Sequence, residues 1–311
     1  MLNDKTLGML NDLKIDNQSG ARELINKALN VIKSQLNTIT NESLEISEII
    51  VELSRRIIDS RPSIAPLINT IGYLIGSDLK SLTKSSILQK IEQFFQDKND
   101  REKRLEDTFQ NFITSNYKND IKIMLISYSS TIINLLTKLK GSNIELYILE
   151  SRPLLEGHKT AEDLSSTFKT HLIIDMAMGK FINKMDLVLV GIDSVLKDGA
   201  IINKIGTYPL AVLARERGVD TYAMGDSFKY NLKSHYDLKV DIEPKPIEEV
   251  YNKQTSSKSL MIHNYYFDIT PSEYITGIIS ELGILRPQKF VKEVIKILPI
   301  KWFQSFLNNN Q

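Results

Sequence analysis

Five short apolar segments in the second part of the chain constrain its fold more than any other feature. The segments begin after residue 119 and read IKIMLIS, IELYILE, THLIID, MDLVLVG and VDTYAMG. Most of them are separated by stretches that are long enough to form a helix. A strand that is apolar along its whole length is buried on both faces, which is typical of a parallel sheet with helices on either side. The sequence therefore predicts a doubly wound, Rossmann-like α/β domain over residues 119–311, with its ligand beyond the carboxyl ends of the strands.

The first part of the chain is predicted to be an all-helical domain over residues 1–118. The segments SGARELINKALNVIKSQL and NESLEISEIIVELSRRII carry apolar residues at steps of three and four, which predicts two amphipathic helices. IAPLINTIGYLIG is a shorter and more apolar element. Between Ser81 and Tyr117 we expect one long helix with a charged, solvated face.

The composition excludes several classes of function. The chain has 39 basic and 38 acidic residues, so contact with nucleic acid would need a local basic stripe, and we find none. It has no cysteine, which excludes disulfides, thiolate zinc sites and a cysteine nucleophile. Its four histidines lack metal-ligand spacing, no apolar stretch is long enough to span a membrane, and MLNDKTLGMLNDLK is unlike a secretory signal. We expect a cytoplasmic protein without a cofactor, a metal, direct nucleic-acid binding or membrane contact.

Capping signals predict where helices begin and end. Thr270, Pro271, Ser272 and Glu273 combine a capping box with proline at a first helical position, which predicts a helix over the following residues, YITGIIS. Another helix is predicted to begin near Lys204 and to end at Gly218. The amphipathic tail FVKEVIKILPIKWFQSFL is expected to dock on the domain or on a second subunit.

Charged and amide side chains follow the predicted strands. Arg152 comes after one buried strand, Asp193 after another, and Asn203 and Lys204 stand at the predicted start of a helix. A guanidinium binds phosphate through two parallel hydrogen bonds, and the amide end of a helix favours anions. Cations for a phosphate together with acceptors for hydroxyl groups predict a site for a phosphorylated polyol.

Several long segments closely resemble the initiation factor 2B family. They are ESRPLLEGHKTAEDL, DLVLVGIDSVLKDGAIINKIGTYPLAVLA and YFDITPSEYITGIISELG, and SGARELINKALNVI and SRPSIAPLINTIGYL extend the resemblance into the helical part. The family groups the alpha, beta and delta regulatory subunits of translation initiation factor 2B with methylthioribose-1-phosphate isomerase and archaeal ribose-1,5-bisphosphate isomerase. Within it, the chain most resembles an archaeal initiation factor 2B homologue.

The resemblance implies roles for individual residues. In the isomerases a cysteine and an aspartate face each other across the sugar and move the proton that converts an aldose phosphate into a ketose phosphate. The aspartate matches Asp193 in GID. The implied phosphate and hydroxyl contacts are Arg61, Arg152, Asn203, Lys204 and Lys229, with Ser129, Ser130 and Arg22 as further candidates.

The cysteine of the isomerases has no counterpart in this chain. Its segment corresponds to ISYSS, where the cysteine position falls on Tyr128 or, with a shift of one residue, on Ser127 or Ser129. A serine hydroxyl is a far weaker acid than a thiol, and a tyrosine would need strong perturbation to act near neutral pH. Losing one member of an acid–base pair removes about two to four orders of magnitude in rate, so we expect residual or no isomerase activity.

Two functions remain open from the sequence. The favoured one is a regulatory-subunit homologue that binds a sugar phosphate or a nucleotide, forms a homodimer or hexamer, and contacts the alpha subunit of initiation factor 2. The alternative is a ribose-1,5-bisphosphate isomerase that uses a non-cysteine acid or base. The loops 226–235 and 243–258 are polar and long enough to be partner surfaces, and for the second loop a solvated linker is the favoured interpretation.

Overall fold

The structure is a computed structural model that describes most of the chain. The described residues are 2–16, 19–39, 44–61, 64–76, 82–117, 120–252 and 259–308. The predicted domain boundary at residues 118 and 119, and the end of the predicted surface loop at residues 253–258, fall outside them.

The helical domain begins the described chain and agrees with the sequence prediction. Its five helices are α1 (Asp4–Ile15), α2 (Ala21–Leu36), α3 (Leu44–Ser60), α4 (Ala65–Ile75) and α5 (Lys84–Asn116). The long helix α5 starts after a capping box, in which Ser86 N donates to Thr83 Oγ1 and Thr83 N donates to Ser86 Oγ, both at 3.1 Å.

Ten strands follow among the described residues and form two sheets. They are β1 (Ile121–Leu125), β2 (Ile144–Leu149), β3 (Lys169–Ile173), β4 (Leu187–Gly191), β5 (Ser194–Val195), β6 (Ile201–Lys204), β7 (Asp220–Met224), β8 (Phe267–Thr270), β9 (Gly277–Ser280) and β10 (Gly283–Leu285). Seven form one sheet in the order β10-β9-β7-β4-β1-β2-β3, in which only the β9–β10 pair is antiparallel. The other three form a small antiparallel sheet in the order β5-β6-β8.

The remaining helices lie between and after the strands. They are α6 (Ser130–Thr137), α7 (Glu156–Ser165), α8 (Met178–Phe181), α9 (Thr207–Glu216), α10 (Leu232–His235), α11 (Pro287–Ile297) and α12 (Lys301–Asn308). This is the predicted architecture of a helical domain followed by a mostly parallel, doubly wound sheet. All five predicted strands are confirmed as β1, β2, β3, β4 and β7. The predicted burial on both faces is wrong for β3, which lies at the edge of the sheet and exposes Lys169 and Leu172.

The predicted helix after Thr270 is wrong. The capping signals instead start a single 3₁₀ turn at Ser272–Tyr274, and the chain then enters β9. The four residues of β9 are buried, and the strand pairs with β7 on one side and β10 on the other. Ile278 and Ile279 are β-branched and suit a buried strand, so sheet pairing overrides the local helix signal.

The larger of two hydrophobic clusters among the described residues joins the helical domain to the sheet. Helix α4 is buried on nearly all sides, and its side chains belong to the same cluster as Val188 and Val190 of β4. The terminal helix α12 packs on α4, where a Cβ added to Gly72 would lie 1.9 Å from Trp302 Nε1. The tail therefore docks within its own chain. No helix among the described residues is long and apolar enough to cross a bilayer.

Candidate functional site

The loops after β1 and β4 lie where the order of the parallel strands reverses. The chain goes from β1 to β2 and β3 on one side of the sheet, and from β4 to β7 and β9 on the other. The loops at such a reversal diverge and leave a crevice for a ligand. Ser127 and Ser129 follow β1, Asp193 follows β4, and a Cβ on Gly191 would lie 3.4 Å from Ser129 Cβ. We take this crevice as the candidate site.

The backbone beside the crevice is strained. Four non-glycine residues of the described chain have positive φ, and three of them lie here: Ser127 at 69°, Ser151 at 63° and Leu155 at 58°. Ser127 N donates to Ser151 Oγ at 2.7 Å, so the loops after β1 and β2 brace each other. Strained residues gathered in one place are typical of functional sites, because the surrounding structure must stabilise them.

An ion pair between a buried lysine and a partly exposed glutamate lies in the crevice. Lys204 is 4% exposed, and its Nζ is 2.7 Å from Oε2 of Glu156, the first residue of α7. The hydroxyl of Ser127 lies 3.5 Å from the same carboxylate oxygen. The ring of Tyr266 covers the ammonium group, with its centroid 4.9 Å from Nζ. A cation, a carboxylate and a hydroxyl therefore meet under an aromatic ring.

Asp193 lies near two lysines, Lys204 and Lys229. Its backbone N–H donates to Ile202 O at 2.9 Å, which ties the loop after β4 to the small sheet. Burial raises the pKa of the Asp193 carboxyl above its usual range, while the charges of Lys229 and then Lys204 act to lower it. Desolvation and the two ammonium groups thus act on the pKa of this carboxyl in opposite directions, and desolvation has the larger effect.

Lys229 reaches the crevice from a 3₁₀ turn, Ser227–Lys229. A Cβ on Gly225 would lie 3.0 Å from Lys229 Cγ and 3.3 Å from Ile192 Cβ. The stem of the lysine therefore passes over Gly225 and beside the residue before Asp193. A larger residue at position 225 would displace it.

Asn203 and Lys204 are not at the start of a helix, so that prediction is wrong. They are the last two residues of β6, and α9 begins at Thr207. Asn203 Nδ2 donates to Thr207 Oγ1 at 2.9 Å. The Asp268 carboxylate accepts from the backbone N–H of Gly206 at 2.8 Å and Tyr208 at 3.2 Å, so the amide end of α9 already holds an anion.

Arg61 comes from the helical domain and is mostly committed to backbone groups. It is buried, its Nε donates to Leu13 O at 3.1 Å, and a second guanidinium nitrogen donates to Asp16 O. Burial lowers the pKa of the Arg61 guanidinium, whereas Glu243, Asp16 and Tyr266 raise it. Arg61 thus lies near Tyr266, the residue whose ring covers the Lys204 ammonium group.

Arg152 is joined to Tyr266 and Lys204 only indirectly, through Glu249. Its guanidinium is exposed and donates to Glu249 O at 3.2 Å. The Glu249 carboxylate accepts from Tyr266 Oη at 2.5 Å and from Asn264 Nδ2 at 2.8 Å. Within the described chain, no hydrogen bond or ion pair joins Arg152 to Asp193 or to Lys204. It can reach a ligand only from the rim of the crevice.

The structure gives Arg22 and Tyr128 other partners. Arg22 donates to both carboxylate oxygens of Glu102 on α5, at 2.9 and 2.7 Å. The ring of Tyr128 packs against the smaller hydrophobic cluster, which contains residues of α5, α6 and the large sheet. Lys159 Nζ lies 4.5 Å from the centroid of this ring. Of the alternatives for the cysteine position, Ser127 is the one that contacts Glu156.

The two serines after Tyr128 belong to the start of α6. Ser129 is its N-cap, and its hydroxyl accepts from Ile132 N at 3.4 Å. Ser130 is its first helical residue and is partly buried. Ser129 thus borders the crevice while its side chain caps a helix.

Sequence reasoning missed Glu156, Glu249 and Tyr266. Glu156 follows Arg152 in ESRPLLEG, close after a buried strand, and this position could have predicted that its carboxylate lies at the site. Glu249 and Tyr266 come from the irregular segment before β8, where no periodic pattern predicts which side chains turn inward. No group of three or more potential metal ligands occurs in the described part of the chain.

A helical domain ahead of a doubly wound sheet, with lysines and carboxyl groups at the strand reversal, defines a Rossmann-like α/β protein with a polar crevice. Comparison with known proteins then gives the family. Residues 17–287 match the Initiation factor 2 subunit family, and the chain belongs to it.

Its relatives include proteins with two kinds of name. The Putative translation initiation factor eIF-2B subunit 2-like of Pyrococcus furiosus is 30% identical over 93% of this chain and 99% of its own length. The Ribose 1,5-bisphosphate isomerase of Archaeoglobus fulgidus is 29% identical over 75% of this chain and 74% of its own. The crystal structure of the translation initiation factor eIF-2B of Pyrococcus horikoshii has a TM-score of 0.78 at 25% identity, covering 93% of this chain and all of that one.

Proposed function

We propose that this chain is a regulatory-type initiation factor 2B homologue that binds a phosphorylated sugar in the crevice without turning it over efficiently. Family membership alone leaves both kinds of relative open. The observation that carries the proposal is the buried Lys204, which pairs with Glu156 and lies near Asp193. The other group on the Glu156 carboxylate is the hydroxyl of Ser127, where the isomerases have a cysteine nearby.

The charges in the crevice favour a phosphate ester over a neutral sugar. Lys204 and Lys229 both act on Asp193, so two ammonium groups lie near one carboxyl, and Lys204 is buried, where a charge is poorly screened. A phosphate would gain charge-assisted hydrogen bonds from both. Glu156 and Asn203 then supply oxygen atoms that can accept hydrogen bonds from sugar hydroxyl groups.

The same geometry argues against efficient isomerase chemistry. Moving a proton between neighbouring sugar carbons needs an acid and a base on the substrate, and Asp193 supplies one such group. Ser127 shares the strained loop after β1 and brings a hydroxyl to Glu156. A serine hydroxyl holds its proton too tightly at neutral pH to serve as the second group.

The test is calorimetric titration with ribose 1,5-bisphosphate, with adenosine 5′-monophosphate as the nucleotide probe. Lys204→Met and Lys229→Met should each weaken binding of the better ligand by about 2 kcal/mol, roughly thirtyfold, since each removes a charge-assisted hydrogen bond. Lys292→Met is the matched control, because Lys292 is exposed on α11. Unchanged affinity in both crevice variants, or no binding of either ligand to the parent protein, would reject the proposed site.

The alternative function, an isomerase with a non-cysteine acid or base, is favoured by one observation: the raised pKa of Asp193. A protonated or easily protonated carboxyl is what an acid–base residue requires. Phosphorus NMR of the parent protein with ribose 1,5-bisphosphate reports conversion directly. Steady turnover that Asp193→Asn abolishes would establish the enzyme and reject the noncatalytic proposal.

Partners belong to the same proposal. We infer a homodimer or hexamer and a contact with the alpha subunit of initiation factor 2, on the strength of the resemblance to regulatory subunits. Analytical ultracentrifugation of the chain alone, and then with that alpha subunit, measures both associations.

A further inference from the structure

The turn that carries Lys229 has little support of its own. Ser227–Lys229 is a single 3₁₀ turn, and its internal hydrogen bonds are Lys229 N to Asp226 O at 3.0 Å and Tyr230 N to Ser227 O at 3.1 Å. Such short turns are weakly stable, because their hydrogen-bond geometry is poor. Groups outside the turn must therefore fix the direction in which the Lys229 side chain leaves the backbone.

Asn69 of α4 supplies the most direct support. Its Nδ2 donates to Phe228 O and to Tyr230 O, each at 2.7 Å, so one side-chain amide binds the carbonyls on both sides of Lys229. Asn69 is 4% exposed in an otherwise apolar helix. A buried amide is costly unless its hydrogens are bonded, and here both are used on this turn.

Two further residues hold the turn from other directions. Glu281, in the turn between β9 and β10, accepts from Ser227 N through both carboxylate oxygens, at 3.0 and 3.2 Å. Arg101 of α5 is 7% exposed and stacks on Phe228, with its guanidinium carbon 3.9 Å from the ring centroid. Its Nε lies 3.7 Å from Asp226 Oδ2. Two of the three supports, Asn69 and Arg101, come from the helical domain.

We propose that Asn69 is a positioning residue for Lys229, through which helix α4 sets the phosphate affinity of the crevice. The proposal rests on the proposed function for its ligand. Asn69 acts on the two carbonyls that flank the lysine, so removing its amide lets the turn relax while the Lys229 side chain itself stays intact. A residue that only filled the core would lower stability without acting through Lys229.

The first experiment needs no ligand. The folded parent and Asn69→Ala proteins are labelled with a trace of acetic anhydride, and mass spectrometry compares acetylation of Lys229 with that of the exposed Lys292. We expect the Lys229 to Lys292 ratio to change in the variant, because the lysine leaves its fixed place. Glu281→Gln, which alters the same turn from the other side, gives a second variant if Asn69→Ala does not fold. An unchanged ratio in the folded variants overturns the proposal.

The second experiment is a double-mutant cycle on the affinity for ribose 1,5-bisphosphate. Asn69→Ala should weaken binding about fivefold to tenfold in the parent background, on the scale of one neutral hydrogen bond. In the Lys229→Met background the same change should alter affinity by less than about twofold, because its effect passes through Lys229. An equal loss in both backgrounds overturns the positioning role. If the parent does not bind the ligand but the acetylation ratio changes, the proposed function fails and the positioning role stands.

Discussion

Glu156 changes how the residues of the crevice are understood. The sequence predicted that Lys204 stands at the start of a helix and binds a phosphate. The lysine instead ends strand β6, and its ammonium group pairs with the Glu156 carboxylate. Burying a lysine without a partner is costly, and the ion pair with Glu156 offsets part of that cost. A phosphate must share this lysine with Glu156 or displace the carboxylate.

At the same scale, Asp193 should make stability depend on pH. Burial raises its pKa in the folded protein above the ordinary value of 3.8, so at pH values between the two pKa values the folded state binds more protons than the unfolded state. Its contribution is fully present below about pH 4 and is lost as pH rises through the raised pKa.

Urea unfolding of the parent and Asp193→Asn proteins between pH 4 and 7 measures this contribution. The variant should gain stability relative to the parent as pH rises, because an amide has no proton to lose. A difference in unfolding free energy that stays constant across this range would show that Asp193 is not desolvated as described.

Residues 270–280 show how an element's surroundings override its local pattern. Thr270 to Glu273 carry real helix-start signals, and the structure uses them for one 3₁₀ turn. The next residues complete the large sheet between β7 and β10. A helix there would leave the edge of β7 unpaired, and unpaired buried backbone groups cost more than a capping box returns.

The contact between α4 and α12 gives a prediction about an element. A Cβ at position 72 would lie 1.9 Å from Trp302 Nε1 and Cε2, so Gly72→Ala should force α12 away from α4. We expect a loss of about 3 kcal/mol in unfolding free energy from overpacking, and a red shift in the emission of Trp302, the only tryptophan of the chain.

Gly8→Ala is the matched control for that measurement. Gly8 lies within α1, and a Cβ there would meet nothing within 4 Å. Alanine at this exposed helical position should raise stability by about 0.5–1 kcal/mol without changing the emission. Equal effects of the two substitutions would mean that Trp302 does not pack on Gly72.

At the scale of the whole molecule, the larger of the two hydrophobic clusters contains residues of both domains. The same cluster contains Leu67 of α4, Val188 of β4 and Phe290 of α11, and the terminal helix α12 returns to the helical domain. Each part therefore buries some of its apolar residues against the other. The division of the chain at residues 118 and 119 stays a prediction.

This shared core predicts cooperative unfolding. Trp302 fluorescence and hydrogen exchange in peptides from α4 and β4 should report the same transition as guanidinium is added, because opening either domain exposes the common core. Residues 1–118 expressed alone should lack a cooperative transition. Exchange in β4 that stays protected after α4 has opened would show instead that the sheet domain folds by itself.

Near-continuous apolar strands, amphipathic spacing and family motifs were enough to determine the fold class, the five strands β1, β2, β3, β4 and β7, and the loop after β4 that carries Asp193. The segment 226–235, predicted as a polar partner loop, is instead a largely buried pair of helical turns. These features are local, so the sequence displays them directly. The small sheet, the β9 strand, the Glu156–Lys204 pair and the Asn69 bridge to Phe228 and Tyr230 join residues far apart in the chain. Only the tertiary structure decides them, because burial and pairing partners depend on how distant elements pack and not on the residues beside them.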